Sequence, residues 1–531
     1  MVSAQEECAG KILKEATMAC KKVNSLLILS PRANSLIDQI MDHPRTEVTR
    51  PNIIWIFGDQ HPWHALGCNG NADVKTPNID ALAAVGVNFV NAVAGYPLCC
   101  PFRGALFTGK YPHKVVPGHQ YQLDPAERTI AHAFNDAGYA TAYFGKWHLD
   151  GFQEQHGNVA KHVVPPGRRG GFQQWTGYEN NNAQWDTWVH GGEGDTAFQY
   201  KLPDYETDCL TRLLIEYIKN VGKKGADGNP DSPQLPPFFA VLSVQPPHNP
   251  YFAPEEYMER HFDLDTLTLA PKPLHFRENV PPIAAFREEI ARDLAGAYAM
   301  IEDLDWNVGR VLDTLAASGL AKQTTIIFFS DHGDMHGSHG QQRKTSPYNE
   351  SIRVPFIIGN AGDALSRREG VGSPTPTGRP GAANRRSDAM MNHVDIAPTT
   401  LGLCGIPVPA AMEGTDFSDH VREGYDNPKD PDSAYLQSVI PTGHYDCVDK
   451  PWRGIITRDG WKYVCFEGIE WLMFNLNVDP FELQNLAHNF KHNKEKKRLN
   501  AALAAWIERT DDEFQLPDLE AREKLNKEIA R

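Results

Sequence analysis

Residues 52–60 read NIIWIFGDQ, an almost continuous apolar run that ends beside Asp59 and Gln60. Apolar runs of this kind are typical of strands that are buried on both faces of a sheet. A second run, Thr325–Ser330 (TIIFFS), leads in the same way into Asp331. Ligands of open α/β sheets bind at the carboxyl ends of the strands. The two runs therefore predict an α/β fold with acidic side chains at the ligand-binding edge of its sheet.

A loop that enters a short helix is predicted for residues 98–109, which read LCCPFRGALFTG. Pro101 suits the first turn of a helix, and Gly109 suits a left-handed stop. Cys99 and Cys100 therefore lie where unpaired backbone N–H groups and the positive end of the helix dipole converge. This position favours an anion.

The pattern Cys-x-Pro-x-Arg, from Cys99 to Arg103, resembles the signature of the type I sulfatases, members of the alkaline-phosphatase superfamily. Further blocks resemble the same family, namely Gly-Lys-Trp-His at residues 145–148 and Ser-Asp-His-Gly-Asp at residues 330–334. The resemblance extends in matching order over about residues 50 to 490. It implies an alkaline-phosphatase-like large mixed sheet with helices on both faces, and a smaller C-terminal α+β domain with a short antiparallel sheet.

The resemblance also implies a set of site residues. The counterparts of the family's catalytic residues are Cys99, Arg103, Lys146, His148, His248 and Lys344. The counterparts of its metal ligands are Asp59, Gln60, Cys99, Asp331 and His332. In that family the cysteine is oxidised to formylglycine, whose hydrated aldehyde is the nucleophile that attacks sulfur. The chain is thus predicted to be an arylsulfatase-like hydrolase that acts on sulfuric ester bonds.

The resemblance, together with the chemistry of these residues, implies their roles. Lys146 and Lys344 would neutralise charge on the transferring group. His248 would protonate the departing alcohol, and His148 would take a proton from the second hydroxyl so that the aldehyde re-forms. A single divalent cation is predicted, with Ca²⁺ favoured, and with Mg²⁺ or Mn²⁺ as alternatives because His332 stands where some sulfatases have Asn.

Two departures from the family pattern leave alternatives open. Gln60 stands where many sulfatases have Asp, and the Asp-Gln pair is shared with enzymes that resemble phosphonate monoester hydrolases. A phosphonate monoester or phosphodiester hydrolase of the same superfamily is therefore the second hypothesis. Phe102 stands where the family usually has Ser or Cys, which motivates a third hypothesis, an inactive sulfatase-like binding protein.

The expected partners are a small-molecule or carbohydrate sulfate ester and a formylglycine-generating or sulfatase-maturing enzyme. Residues 163–190 are rich in aromatic and amide side chains, which suits either a substrate-lining loop or packing over a sheet edge. The formal net charge of −15 argues against a general nucleic-acid-binding protein. Eighteen consecutive apolar residues occur nowhere, so no membrane span is expected.

The length of the 531-residue chain suggests one large domain with a smaller one attached, and the extent of the family resemblance leaves an extension before them. The three regions are an N-terminal extension (1–49), a catalytic domain (50–430) and a smaller C-terminal domain (431–531). Gly, Pro, Thr and Arg are concentrated in residues 362–387, which predicts a flexible excursion, and a charged helix is expected to end the chain. The nine scattered cysteines suggest reduced thiols, and the first fifty residues have no core of a secretory signal. The expectation is a cytoplasmic protein.

Overall fold

The computed structural model describes residues 50–153, 157–225, 236–262, 287–368, 385–422, 430–443 and 447–529. The predicted N-terminal extension lies outside these residues. The boundary predicted at residue 430 adjoins residues 423–429, which also lie outside them, so the three-region division stays a prediction.

The strands of the described residues belong to two sheets. They are β1 (Asn52–Gly58), β2 (Val87–Phe89), β3 (Ala140–Lys146), β4 (Gln174–Tyr178), β5 (Trp188–Gly191), β6 (Phe198–Lys201), β7 (Phe238–Ser243), β8 (Thr324–Ser330), β9 (Phe356–Asn360), β10 (Arg385–Ser387), β11 (Ser433–Ser438), β12 (Trp452–Thr457), β13 (Trp461–Phe466) and β14 (Ile469–Asn475).

The α-helices are distributed along the whole described chain. They are α1 (Pro77–Val85), α2 (Cys99–Thr108), α3 (Pro112–Val115), α4 (Ile130–Asp136), α5 (Glu206–Gly225), α6 (Glu255–His261), α7 (Arg287–Ala317), α8 (Asn349–Ile352), α9 (Ala361–Arg368), α10 (Ile396–Leu403), α11 (Ser418–Arg422), α12 (Asn493–Arg509) and α13 (Leu519–Ile529).

The large sheet has ten strands in the order β10-β2-β9-β8-β1-β7-β3-β4-β5-β6. Its centre, β8-β1-β7-β3-β4, is parallel throughout, whereas β9, β5 and β6 pair antiparallel with their neighbours. The sheet is therefore mixed. Because the central strands run in the same direction, their carboxyl ends meet at one edge.

Helices cover both faces of this sheet. Ile53, Trp55 and Phe57 of β1 pack in one cluster with side chains of α2, α4 and α10. Ile54 and Ile56 point the other way and pack with side chains of α1, α5, α7 and α9. Successive strand residues alternate between faces, so a continuous apolar run is the pattern that a strand covered on both sides requires.

The small sheet is antiparallel, in the order β11-β12-β13-β14. One of its faces packs on α12 through Leu499, Leu503 and Trp506, in a cluster that also contains Ala105 of α2. The other face packs on residues that precede or follow strands of the large sheet, including Val93 and Ile352. The predicted fold class, a large mixed sheet with helices on both faces and a short antiparallel sheet near the C-terminus, is confirmed.

Two local predictions need correction. The flexible excursion over 362–387 is wrong at both of its ends, because α9 occupies Ala361–Arg368 and β10 occupies Arg385–Ser387, while residues 369–384 lie outside the described part. Ala361, Ala364 and Leu365 bury the apolar side of α9. The single charged C-terminal helix is in fact two helices, α12 and α13.

Two further features of the described residues concern the cysteines and the helices. None of their seven cysteines is disulfide-bonded. No helix among them combines the length and the apolar character that crossing a membrane requires.

Candidate active site

Four neighbouring strands of the large sheet bring polar side chains to its carboxyl edge. In the spatial order β8, β1, β7 and β3, these side chains are Asp331, Asp59, Ser243 and Lys146. All four are fully buried. Parallel pairing therefore converts four separate stretches of sequence into one polar cluster.

Cys99 lies at the start of α2 and points its sulfur into this cluster. Its Sγ is 3.1 Å from Lys344 Nζ, 3.2 Å from His332 Nε2 and 3.5 Å from Asp59 Oδ1. Burial and Asp59 oppose ionisation of the thiol, but Lys344, Lys146 and His332 prevail and lower the pKa of Cys99. The site thus favours a negative charge at this side chain.

Arg103 follows Cys99 by one helical turn and binds the acidic groups from the side of the helix. Its Nη2 is 3.5 Å from Asp59 Oδ2 and 3.4 Å from Asp331 Oδ2, and its Nη1 donates to Ser243 Oγ at 2.9 Å. Burial alone would lower the pKa of Arg103, but Asp331 and Asp59 raise it. The guanidinium is a fixed positive charge that locks α2 to the strand ends.

Lys146 completes the positive surroundings of Asp59. Its Nζ donates to Asp59 Oδ2 at 2.6 Å. Burial opposes ionisation of Asp59, yet the positive charge of Lys146 and of the other groups around it holds the pKa of that carboxyl well below its usual range. Asp59 is therefore ionised at neutral pH.

Gln60 is held in one orientation by two residues. Its Nε2 donates to Asp334 Oδ2 at 2.6 Å and to Tyr251 Oη at 3.1 Å. Its Oε1 is buried and has no hydrogen-bond partner in the described part of the chain. A buried amide oxygen without a donor needs another electrostatic partner, and a cation is a suitable one.

His332 is likewise oriented to offer a lone pair. Its Nδ1 lies 3.0 Å from the carbonyl oxygen of Gly333, so Nδ1 carries the proton and donates it. Nε2 faces Cys99, and burial opposes its protonation, but Asp331 and Cys99 raise the pKa of His332. The ring therefore donates to a thiolate when it is protonated and offers the Nε2 lone pair when it is neutral. This backbone contact is the usual device that fixes the tautomer of a metal-binding histidine.

The candidate metal ligands fit a divalent cation. One ligand atom from each of Asp59, Cys99, Asp331 and His332 lies within 4.8 Å of the others. Two carboxylates, an imidazole and the unpartnered amide oxygen of Gln60 form the mixed oxygen and nitrogen set that hard or borderline divalent cations accept. Four of the five predicted metal ligands are thus brought together, and the fifth, Gln60, adjoins them through its backbone N–H, which donates to Asp331 Oδ1 at 3.0 Å.

His248 and Lys344 form a pair on the other side of Cys99. His248 Nδ1 donates to the carbonyl oxygen of Asn249 at 2.7 Å, and Lys344 Nζ donates to His248 Nε2 at 3.0 Å. Burial and the charge of Lys344 hold the pKa of His248 well below its ordinary value. Burial opposes the charge of Lys344, but Cys99 and Asp59 raise its pKa, so the proton between the two residues belongs to Lys344.

His148 stands slightly apart from the other predicted catalytic residues. It has a left-handed backbone conformation (φ 57°), which a histidine rarely adopts, and its backbone N–H donates to the carbonyl oxygen of Glu179 at 2.7 Å. Its nearest described ring neighbour is His119, with ring centroids 5.4 Å apart. Burial and the nearby Lys146 hold the pKa of His148 well below its ordinary value. His148 is therefore a buried, neutral imidazole.

Phe102, which departs from the family pattern, points away from the site. It is fully buried in the core on the α2 side of the sheet. Its ring stacks on His393 with centroids 5.1 Å apart and an angle of 20° between the rings. Phe102 therefore packs the back of α2.

In the aromatic segment 163–190, some residues pack in the core and others lie near the candidate active site. Trp175 is buried in the core among other aromatic rings. Gln184 instead donates to the carbonyl oxygens of His248 and Pro250, at 3.2 and 3.1 Å. Trp185, the next residue, is 42 % exposed. One part of the segment is thus tied directly to the loop that carries His248.

Sequence reasoning assigned no role to three residues that organise the site. Asp334 and Tyr251 orient Gln60, and Ser243 accepts a hydrogen bond from Arg103. Asp334 and Ser243 each carried a usable signal, since Asp334 lies within the Ser-Asp-His-Gly-Asp block and Ser243 ends a buried strand. Tyr251 carried none, because its role depends on a contact with a residue 83 positions away.

Comparisons with known proteins agree with this geometry. The sulfatase family profile matches residues 51–406, and the profile of the N-sulphoglucosamine sulphohydrolase C-terminal region matches residues 374–509. The ulvan-active sulfatase of Formosa agariphila is 31% identical over 479 residues, which cover 89% of this chain and 84% of that protein. The endo-4-O-sulfatase of Bacteroides thetaiotaomicron is 28% identical, with 88% of this chain and 93% of that protein covered.

A solved structure of a sulfatase-like protein shows that the similarity extends to the fold. The crystal structure of yidJ from Bacteroides fragilis matches with a TM-score of 0.73 and 26% identity, covering 89% of this chain and 98% of that one. The family profile spans both halves of the candidate metal site and the Cys99 block. The chain belongs to the sulfatase family, whose members hydrolyse sulfuric esters and generally use a metal ion and a formylglycine.

Proposed function

We propose that this sulfatase cleaves sulfate monoesters of a carbohydrate by means of a formylglycine made from Cys99. The observation that carries the proposal is the position of the Cys99 sulfur, in contact with Lys344 Nζ and His332 Nε2 and beside Asp59. A nucleophile at this atom would be surrounded by groups that stabilise its anionic form. The same groups would face the sulfur of a bound ester.

A divalent cation would be held by Asp59, Gln60, Asp331, His332 and the side chain at position 99. When bound, such a cation lowers the pKa of a coordinated hydroxyl and withdraws charge from sulfate oxygens. The predominance of oxygen donors favours Ca²⁺, and the imidazole keeps Mg²⁺ and Mn²⁺ as alternatives. Metal analysis of the purified protein, followed by removal and single-metal reconstitution, identifies the ion.

Conversion of the Cys99 thiol to an aldehyde, followed by addition of one water molecule, supplies a geminal diol, which offers one hydroxyl to attack sulfur and a second that can lose a proton. Arg103 holds Asp59 and Asp331 in place throughout. Lys146 and Lys344 would neutralise the sulfate oxygens. His148, a neutral imidazole, would accept the proton of the second hydroxyl.

The leaving group would be protonated by the His248 and Lys344 pair. Nδ1 of His248 is committed to the carbonyl oxygen of Asn249, so Nε2 is the nitrogen that can deliver a proton. At rest that nitrogen accepts from Lys344. The negative charge of a bound ester beside Nε2 raises its proton affinity, so Lys344 would be the source of the proton and His248 its carrier.

A carbohydrate substrate is supported by the relatives and by one surface feature. One relative is ulvan-active, and the profile that matches residues 374–509 describes a sulphoglucosamine sulphohydrolase. Trp185 is exposed beside Gln184, which bonds the loop of His248. An exposed indole at this position offers a flat apolar surface for a sugar ring. Trp185→Ala is expected to raise KM for a carbohydrate sulfate with little change in kcat for a small aryl sulfate.

The test of the proposal combines chemistry at Cys99 with kinetics. The protein is produced in a host that modifies a control sulfatase, and the peptide that contains Cys99 is analysed by mass spectrometry. We expect the aldehyde, which differs from the thiol by the loss of one sulfur and two hydrogens and the gain of one oxygen. We also expect turnover of an aryl sulfate that Cys99→Ala abolishes.

Matched aryl substrates separate the alternatives. Faster turnover of an aryl phosphonate monoester or phosphodiester than of the aryl sulfate would replace the sulfatase proposal with the phosphorus hydrolase. An unmodified cysteine without turnover of either, in a host that converts the control, would favour the inactive binding protein.

A further inference from the structure

A second cluster of metal-ligating side chains adjoins the candidate active site. The Cys100 sulfur, a ring nitrogen of His119 and a ring nitrogen of His148 all lie within 4.8 Å of one another. Cys100 Sγ is 3.9 Å from His119 Nδ1. The rings of His119 and His148 meet at a right angle. The roles proposed above use only His148 of these three.

The donor set differs from that of the first site. A thiol and two imidazoles suit Zn²⁺ and other thiophilic cations, whereas the carboxylates and amide around Cys99 suit hard cations. In tetrahedral zinc sites the Zn–S bond is about 2.3 Å and the Zn–N bond about 2.0–2.1 Å, which separates S and N by roughly 3.5 Å. Cys100 and His119 are within a few tenths of an ångström of that separation.

A second observation points to a ligand at this cluster. His148 is only 3 % exposed, and its Nδ1 is buried without a hydrogen-bond partner in the described residues. Buried ring nitrogens are ordinarily hydrogen-bonded, because leaving one unpaired costs free energy. His148 thus has a ring nitrogen that is not committed to another group, beside a thiol and a second imidazole.

The cluster is also held by the backbone and open to solvent on one side. The backbone N–H of Gln120 donates to Cys100 Sγ at 3.4 Å, and the backbone N–H of His148 is bound to Glu179. Cys100 and His148 are buried, whereas His119 is partly exposed. A cation could therefore reach a partly preformed site from the side of His119.

We propose that Cys100, His119 and His148 bind Zn²⁺ and that this binding inhibits the hydrolase. Binding replaces the thiol proton with the metal, so that one proton is released to solvent for each Zn²⁺ bound. His148 then either loses the nitrogen that accepts the catalytic proton or becomes less basic beside the new positive charge. The inhibitory half of this inference rests on the proposed function, whereas the binding half does not.

Binding is tested with Co²⁺ as a spectroscopic probe in a Cys99→Ser background, where the first site has no thiol. Saturating Mg²⁺ or Ca²⁺ occupies the hard site. We expect one equivalent of Co²⁺ with thiolate-to-metal charge-transfer absorption, displaced by Zn²⁺. The band should persist in the matched control Cys99→Ser/Cys68→Ser and be lost in Cys99→Ser/Cys100→Ser.

Absence of the band from the Cys99→Ser protein, or its survival without Cys100, overturns the site. Should the Cys100 variant fail to fold, as judged by circular dichroism, Cys99→Ser/His119→Ala gives the same test. That variant is expected to bind Co²⁺ at least about tenfold more weakly. Unchanged affinity in it also overturns the site.

Inhibition is tested with the matured enzyme. Zn²⁺ should inhibit aryl sulfate turnover reversibly, and His119→Ala should require at least about tenfold more Zn²⁺ for half-inhibition. Equal inhibition of the two proteins would place the effect at the first metal site and overturn the regulatory half. If no protein turns over any sulfate ester, the proposed function fails, and the cobalt measurement still decides whether the second site exists.

Discussion

The ammonium of Lys344 lies 3.1 Å from the sulfur of Cys99, although 245 positions separate the two residues in the chain. The same ammonium donates to His248, so it joins the nucleophile position to the residue that would serve the leaving group. Lys344 itself is 3 % exposed. Because burial of a charge is costly, we expect this ammonium to serve catalysis rather than stability.

Replacing this ammonium by an uncharged side chain of similar length should therefore affect catalysis more than folding. For Lys344→Met we expect kcat/KM for an aryl sulfate to fall by about 10²–10³-fold, as for the loss of one charge-stabilising donor. The melting temperature should fall little or rise. Steady-state kinetics and thermal unfolding measure both effects, with the exposed Lys491→Met as the control. A loss in kcat/KM smaller than that of the control would remove Lys344 from the catalytic residues.

The second prediction concerns the residues that orient Gln60. Asp334 accepts with both carboxylate oxygens, Oδ1 from the backbone of His336 and Arg343 and Oδ2 from Gln60 and Tyr251. In Asp334→Asn only one oxygen remains, and the backbone donors hold it. The new amide N–H₂ then faces Gln60 Nε2, which turns the Gln60 amide and removes its oxygen from the metal position.

We expect Asp334→Asn to weaken binding of the divalent cation by about 10–100-fold, the usual effect of losing a group that orients a ligand. Titration calorimetry on metal-free protein measures the affinity. Tyr251→Phe is the matched comparison, since it removes one of the two acceptors of Gln60 Nε2 and leaves Asp334 intact, so its effect should be smaller. Wild-type affinity in Asp334→Asn would mean that Gln60 is not a ligand.

The residues around Cys99 and those around Gln60 show which parts of the site a local sequence motif can predict and which it cannot. The residues of the Cys99, Lys146 and Asp331 blocks could be located because each block is a short motif at the end of a strand or the start of a helix. The strand order could not be predicted, because β7 lies between β1 and β3 although both precede it in the chain. Tyr251 was missed for the same reason, since only tertiary structure brings it to Asp334.

The error at α9 has a different cause. Gly, Pro, Thr and Arg dominate residues 362–387 as a whole, and this average conceals a short amphipathic helix at the start of the segment. The helix is stabilised by burying Ala364 and Leu365 against other helices on that face of the sheet. Its stability is tertiary, so composition alone could not predict it.

The third prediction concerns acid stability and a histidine outside the active site. His190 accepts a hydrogen bond from the backbone N–H of Val164 through Nε2, at 2.9 Å, and so is neutral in the native protein. Burial and the nearby Arg169 and His162 lower the pKa of His190 to about 3. The unfolded chain, with a histidine pKa near 6.5, binds this proton first as pH falls. The contribution to stability is therefore complete above about pH 6.5 and is lost as pH falls towards about 3.

Between about pH 6.5 and pH 5 this single group should remove about 2 kcal/mol from the free energy of unfolding, at about 1.4 kcal/mol for each pH unit. In His190→Gln, the glutamine amide oxygen can accept the same hydrogen bond. Between pH 6.5 and pH 5 its free energy of unfolding should therefore fall by about 2 kcal/mol less than that of the wild type. Urea unfolding at both pH values measures the difference, and the exposed His488→Gln is the control. Parallel pH dependence of wild type and His190→Gln would show that folding does not lower the pKa of His190.

The last prediction separates two effects of Phe102. Its ring is fully buried and stacks on His393, so removing it leaves a cavity behind α2. For Phe102→Ala we expect a loss of about 3–5 kcal/mol in the free energy of unfolding, as for other buried phenylalanines. Phe102→Leu, which fills most of the space, should lose less. Chemical denaturation of the three proteins gives these differences.

Substitution of Phe102 should affect the conversion of Cys99 to the aldehyde less than it affects the stability of the fold. Phe102→Ser restores the residue that is usual in the family and leaves Cys99, Pro101 and Arg103 unchanged. Because Phe102 packs into the core rather than against the Cys99 sulfur, we expect the fraction of Cys99 converted to the aldehyde to equal that of wild type, while the yield of folded protein falls. Mass spectrometry of the Cys99 peptide from both proteins, made in the same host, measures that fraction. A higher converted fraction in Phe102→Ser would show instead that Phe102 limits recognition by the maturing enzyme. Phe102 would then improve core packing and reduce maturation.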